Sequence, residues 1–379
     1  MQPYHLLQRT LLAATLAVQA VPEVSVVASG LRNPRGIALA PDGSLYVAEA
    51  GCGGQGRSVV LGDGHSNHYG ETGALVRIDP TGVVAPRRVI PGLPSLAPTG
   101  GYSATGPSRV AFTGKGILQL TMGLGAQACV RRSLGPKAHL LGCILQVSPG
   151  GGFQPGADLA AFESANTPAS GAGLSGSNPQ GLAYLPGRSV VADAGANTIL
   201  EVRADGRMRV LAVMPDRMVP APSSLGLPFG ARVPMKAVPT TVAEGPDGCL
   251  YAGQLTGFPF PRGGARIYRL PSWGGEAEVY AEGFTNIVDM AFDATGALYV
   301  LQLGNGMAAP GGPPLAFPGQ LIRVDADGAR SLIYANLYYP GGLALGLDGA
   351  AYVTNFGIVA GPVPSAFPDG GQVLRIALG

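Results

Sequence analysis

The 379-residue chain holds 60 Gly and 34 Pro, yet 46% of its residues are hydrophobic, which is ample for a packed core and excludes a low-complexity disordered chain. Its formal charge is +2 and only 13% of its residues are charged. No basic stripe is available to neutralise phosphates, so nucleic-acid binding has no electrostatic support.

The first twenty residues read as a secretory signal peptide. They have a weakly basic start (His5, Arg9), an apolar run from Leu11 to Val18 and a small-residue ending, Ala17-Val18-Gln19-Ala20. Cleavage near Ala20 would leave residues 21–379 as one exported domain, periplasmic or extracellular. No later stretch reaches the roughly 20 uninterrupted apolar residues that span a bilayer.

Val24 to Leu31 has the form of a strand with a Gly-Leu exit. A repeated unit follows it. Its clearest copy runs Pro34-Arg35-Gly36-Ile37-Ala38-Leu39, then Pro41-Asp42-Gly43, then Leu45-Tyr46-Val47-Ala48-Glu49, and resumes at Leu75-Val76-Arg77-Ile78-Asp79. Further copies start near Pro107, Pro179, Pro239, Ile287 and Pro340. Period-two alternation gives each copy four short strands, the fourth seen at Arg88 to Leu93, Val279 to Phe284 and Leu332 to Leu337. Six such units predict an all-β, six-bladed β-propeller with four antiparallel strands per blade. The last unit stops after its third strand, Gln372 to Ala377, so Val24 to Leu31 should complete it and close the ring. In the second blade, helix formers cluster at Ala157 to Asn166, predicting a short helix that stands in for a regular fourth strand.

Asp-Gly and related turns are tight between first and second strands and between most third and fourth strands. The long insertions fall in the other two connections: Gly51 to Gly73, Gly123 to Leu141, Gly150 to Ser177, Met214 to Val238, Leu255 to Gly264, Gly304 to Gly319 and Gly357 to Gly371. These connections emerge on one side of an antiparallel blade, so one face is decorated and the other trimmed. Function on rigid scaffolds gathers on such loops. Phe258, Phe260, Phe317, Phe356 and Phe367 lie in or beside the inserts, as an apolar binding surface or as packing between inserts. Cys52, Cys129, Cys143 and Cys249 allow three pairings if all are oxidised. Cys129 and Cys143 bracket one insertion and are the expected disulfide.

The chain resembles the ScyD/ScyE family of secreted propellers, named for proteins associated with biosynthesis of the pigment scytonemin. The resemblance is carried by Ser29-Gly30-Leu31-Arg32-Asn33-Pro34-Arg35-Gly36, by Leu159-Ala160-Ala161-Phe162-Glu163 with Asn178-Pro179, by Leu255-Thr256-Gly257-Phe258-Pro259-Phe260-Pro261, and by Gly283 to Asp293. Individual blades, notably Asn178 to Arg203, are similar to NHL repeats. Gln254 and Gln302 stand where the family pattern implies Glu, and Ser108-Arg109 where it implies His-Asp.

Heads of first strands and ends of second strands converge on one mouth of the central channel: Arg35, Arg109, Gln180, Thr240 and Asp289 with Glu49, Asp193, Gln254, Gln302 and Asn355. Two roles follow. Glu49, Asp193, Asp289 and Asn355 have the oxygen atoms a calcium ion takes. Alternatively the polar groups pair across the channel with Arg35 and Arg109. His65, His68 and His139 all lie in insertions, and His65-Ser66-Asn67-His68 would clamp a metal only on a helical turn. Glycine-rich stretches precede no helix with a phosphate-binding fingerprint, which argues against nucleotides. The expected function is a non-catalytic, monomeric binding or scaffold protein that needs no cofactor. It would act on a protein, glycan or small molecule through its loop-rich face. The rivals are a calcium-dependent lactonase-like hydrolase and a quinone-dependent sugar dehydrogenase.

Overall fold

The alternating strands and Asp-Gly turns fold into six antiparallel blades of four strands each, arranged as a propeller, with one further short strand on the sheet of the first blade. The computed structural model describes residues 22–62, 64–148, 151–166, 176–304, 318–361 and 370–379. The expected signal peptide, Phe317 and Phe367 lie outside them. From the axis outwards, the first blade is Pro34–Leu39, Leu45–Glu49, Ser66–Ile78 and Arg87–Ala97. The second is Pro107–Phe112, Leu118–Met122, Cys143–Val147 and Phe153–Asp158, and the third Pro179–Leu185, Arg188–Asp193, Thr198–Arg203 and Met208–Val213. The fourth is Pro239–Glu244, Leu250–Gln254, Ala265–Leu270 and Glu278–Phe284, and the fifth Ile287–Phe292, Leu298–Gln302, Gly319–Val324 and Arg330–Leu337.

The sixth blade takes Gly342–Leu345, Ala350–Asn355 and Gly371–Ala377 from the C-terminal end and Val24–Leu31 from the N-terminal end. The borrowed strand pairs antiparallel from Val24 opposite Ile376 to Leu31 opposite Gly371. Closure removes the open sheet edges that a linear array of blades would leave.

Each strand sends alternate side chains into two different blade interfaces, so the core is divided. Leu45 and Val47 pack against Tyr352 and Val373 between the sixth and first blades, while Ala48 and Leu75 pack against Leu120 and Leu145 between the first and second. Comparable clusters fill the other four interfaces. On the trimmed face, aspartates brace the turns. Asp247 accepts from Tyr251 Oη at 3.1 Å and Arg269 Nε at 2.8 Å, and Asp348 does the same with Tyr352 at 3.1 Å and Arg375 at 2.7 Å.

Three local expectations are corrected. The second blade has a regular fourth strand, Phe153–Asp158, and the helix Leu159–Asn166 follows it. The loops predicted at 51–73 and 214–238 contain hairpins: Ser58–Val60 pairs with the start of Ser66–Ile78, and Arg217–Pro220 with Arg232–Met235. His68 is therefore on a strand, and the helical turn that a His65/His68 clamp needs is absent. Finally, Cys129 and Cys143 form no disulfide; all four cysteines are free. Cys129 is exposed, whereas Cys143 is buried on the third strand and donates to His139 O at 3.3 Å. Burial pushes its thiol up to about 12.

Removing residues 21–31 should open the ring. Val27 and Leu31 are buried in the interface of the sixth and first blades, and losing two such side chains is worth about 3–6 kcal/mol before the exposed sheet edge is counted. Urea unfolding should show a loss of that size, and a truncated protein as stable as the parent would show that closure is made elsewhere.

Candidate functional site at the propeller axis

The inner strands present their first residues in two successive levels. Arg35, Ser108, Gln180, Thr240, Val288 and Gly341 form the outer level; Gly36, Arg109, Gly181, Thr241, Asp289 and Gly342 form the inner one. In the first five blades a register irregularity marks this point of the strand. Glycine is required where strands crowd: a Cβ on Gly36 would lie 2.8 Å from Arg109 Cα and Cδ, and one on Gly342 2.7 Å from Arg35 O.

That crowding surrounds an ion pair between Arg109 Nη1 of the second blade and Asp289 Oδ2 of the fifth, on opposite sides of the ring. Both side chains are buried. The guanidinium also donates to Gln180 O at 3.2 Å and Val288 O at 3.0 Å. The carboxylate accepts from Leu343 N at 2.7 Å, Thr241 Oγ1 at 2.9 Å and Met290 N at 2.9 Å. One pair thus binds polar groups of the second to sixth blades, with Gly36 of the first packed against it. The axis is crossed by a satisfied polar cluster. At the outer level Thr240 donates to Ile287 O at 2.7 Å, and Ser108 donates to Gln180 Oε1 at 2.9 Å.

The second-strand residues do something else. Glu49 Oε1 accepts from Arg32 N at 2.7 Å, Asp193 Oδ1 from Asn178 N at 2.7 Å, Gln302 Oε1 from Thr285 N at 2.9 Å and Asn355 Oδ1 from Tyr338 N at 2.7 Å. Gln254 holds the matching loop by donating to Ala237 O at 3.1 Å and accepting from Arg266 N at 3.0 Å. Each is a clasp between the end of its second strand and the segment leading into the same blade. In the second blade the position is a buried Met122. Glu49 is further held by Arg88, at 2.7 Å through both oxygens. Asp193 accepts from Ser177 Oγ at 2.6 Å, Gly195 N at 3.0 Å and Ala196 N at 3.1 Å. Burial nonetheless raises the Asp193 carboxyl above its ordinary range.

The ten predicted residues are therefore divided between an axial cluster and five peripheral clasps. Glu49, Asp193 and Asp289 are not brought together, and among the described residues no three His, Cys, Asp or Glu side chains could share a metal ion. Their oxygens are already taken by guanidinium, hydroxyl or backbone N–H groups, so this donor set does not fit calcium. Arg35 differs from the rest. Its Nη2 donates to Ala104 O at 2.8 Å and, among the described residues, no carboxylate pairs with it.

Two features escaped sequence reasoning. Asn33, fully buried, donates to Gly51 O at 2.7 Å and Gly101 O at 2.8 Å and accepts from Ala104 N at 3.2 Å, which ties the lead-in loops of the first two blades together. The Asn-Pro phrase before the first blade is the signal that could have found it. A cleft of about 760 Å³ also lies between the second blade's insert and its helix, lined by Gln127, Cys129, Arg132, His139, Asp158 and Ser164 among others. The Arg131–Asp158 pair, at 3.0 and 2.9 Å, spans it. Of the aromatic residues, Phe258 is half exposed, and Phe356 stacks on Tyr338 with centroids 5.7 Å apart.

No family model and no curated protein matches the sequence. Solved structures do share its shape. A protein of unknown function from Bacteroides thetaiotaomicron is 10% identical with a TM-score of 0.55, the alignment covering 94% of this chain and 76% of that one. A gluconolactonase from Xanthomonas campestris is also 10% identical, with a TM-score of 0.51 over 94% of this chain and 90% of that one. Virginiamycin B lyase from Staphylococcus aureus is 11% identical, with a TM-score of 0.46 over 94% and 100%. The chain is a β-propeller. At these identities the likeness extends to the fold alone.

Arg109→Ala or Asp289→Asn leaves the other half of a buried ion pair uncompensated, which is worth about 3–5 kcal/mol. Urea unfolding of each variant should show that loss; a change near zero would mean that the pair is not what joins the blades. Asp193 gives a pH test. A carboxyl raised on folding contributes stability at pH below its unfolded value, and that contribution is lost as pH rises through the folded value. Asp193→Asn keeps a clasping oxygen, as Asn355 does, without that titration. Its melting temperature should equal or exceed the parent's at neutral pH, and the difference between the two should grow from pH 4 to pH 8. A difference that stays flat or shrinks would overturn the assignment.

Proposed function

We propose that this protein is an exported, non-catalytic binding protein that takes its ligand on the loop-bearing face. The observation that carries this reading is the commitment of the axial Asp289 and of the clasp carboxylates Glu49 and Asp193 to structural partners. General acid or base catalysis needs a titrating group within reach of a substrate, and Asp289, Glu49 and Asp193 are spent on Arg109, Arg88 and backbone N–H groups. A quinone-dependent dehydrogenase would want several free cations at the mouth. Neutralisation of Arg109 by Asp289 leaves Arg35 there.

The inserts support a rigid recognition surface. Neighbouring inserts and lead-in loops hydrogen-bond to one another: Asn33 N donates to Val359 O at 2.7 Å, Ser103 N to Ile358 O at 3.1 Å, Gly62 N to Gly125 O at 3.3 Å and Gly125 N to Ser177 O at 2.9 Å. The resemblance to the ScyD/ScyE family and the signal-like N-terminus support a role outside the cytoplasm.

The test is a thermal melt of the purified mature protein after EDTA treatment, with calcium restored, beside a screen of lactones and esters. The melting temperature should not respond to calcium and no turnover should appear. A large calcium-dependent rise, or hydrolysis lost in Asp289→Asn, would overturn the binding reading in favour of a lactonase-like enzyme.

A further inference from the structure

We propose that Arg35 anchors a site for a small organic monocarboxylate at the mouth of the axis. This rests on the reading of the loop-bearing face as a binding surface and names the ligand class. Arg35 heads the inner strand of the first blade and is half-buried there. One edge of its guanidinium is fixed by the 2.8 Å bond to Ala104 O. That carbonyl is itself held, because Ala104 N donates to Asn33 Oδ1 and the Asn33 amide grips Gly51 and Gly101. Among the described residues, the remaining guanidinium N–H groups have no protein acceptor.

In the sixth blade the matching residues are Gly341 and Gly342, which place no side chain at the mouth; the backbones pack closely there, a Cβ on Gly341 standing 2.7 Å from Pro34 O and 3.2 Å from Arg35 Cα. On the second-blade side, Ser108 and Gln180 offer a neutral hydroxyl and amide, hydrogen-bonded to each other. Burial lowers the Arg35 guanidinium to about 10, so it stays charged at neutral pH. A half-buried cation is less well solvated than one in open water, and a bound anion compensates it.

The charge count selects the ligand. Arg109 lies one level deeper and is neutralised by Asp289, so the mouth supplies one positive charge. A carboxylate matches one charge and the two parallel N–H groups of a guanidinium fork. A phosphate dianion would be left half-compensated in a site whose other donors are neutral.

Thermal melts of the mature protein against acetate, benzoate, glucuronate and inorganic phosphate at constant ionic strength test this, with Arg35→Gln and Arg35→Lys alongside. At least one carboxylate should raise the parent's melting temperature in a saturable way. The rise should vanish in Arg35→Gln and need roughly tenfold more ligand in Arg35→Lys, which keeps the charge and loses the fork. Without anion, Arg35→Gln should melt at or above the parent. The lysine variant carries the comparison should the glutamine variant fail to fold. Equal rises in parent and variants, a larger rise with phosphate, or no rise with any probe would each overturn the site. Hydrolysis of a lactone or ester would instead sink the binding reading while leaving an Arg35-dependent anion shift standing, so the two failures are distinguishable.

Discussion

The ring depends on one buried ion pair. Each blade interface has its own apolar cluster, and those clusters join only neighbours. The pair between Arg109 and Asp289 joins opposite blades and gathers the backbone or hydroxyl groups of three more. Six similar units could be closed in several wrong registers, because their apolar faces are nearly interchangeable. An arginine present at one inner-level position and an aspartate present at another are not interchangeable. Taking both charges out of water is unfavourable. The five further hydrogen bonds around the pair offset that, and together with Gly36, Gly181 and Gly342 they allow the strands to approach closely enough to close the axis.

A second constraint is repeated blade by blade. In five of the six blades the residue ending the second strand holds the segment leading into its own blade, mostly by offering an oxygen to a backbone N–H. Carboxylate and amide both do this, which explains why Glu49, Asp193, Gln302 and Asn355 occupy equivalent places. Gln254 uses the other end of its amide for the same loop. Amides at 254 and 302 therefore retain a structural role without any loss of chemistry at the axis.

What the sequence made legible was local. Strands and tight turns were readable because period-two alternation and Asp-Gly pairs act within a few residues, and the unmatched Val24 to Leu31 revealed the closure by counting. Phe153–Asp158 was missed because its Pro155 and Gly156 break the alternation and four of its six residues offer little apolar surface. The hairpins inside the inserts are short and exposed, so they lack the same signal. Arg109 and Asp289 were both named as mouth residues, yet 180 positions separate them, and sequence carries no information on which group across a ring each one meets. The cysteines failed for a related reason. Spacing places Cys129 and Cys143 near each other along the chain, while direction depends on a strand that buries one and a short helical turn that exposes the other.

In a repeat protein, a residue that departs from its repeat carries information only when the departure is uncompensated. The trimmed face repeats its Asp, Tyr and Arg brace in the fourth and sixth blades, and the clasps vary in charge while preserving one hydrogen bond. Arg109 departs from the other inner-level residues but is answered by Asp289. Arg35 departs from Ser108, Gln180, Thr240, Val288 and Gly341 at its own level, and among the described residues no carboxylate answers it. Stability alone gives little reason for a half-buried cation there, since its one hydrogen bond to Ala104 leaves the charge itself without a partner. The remaining physical role for that side chain is to meet a negative charge that arrives from outside the chain.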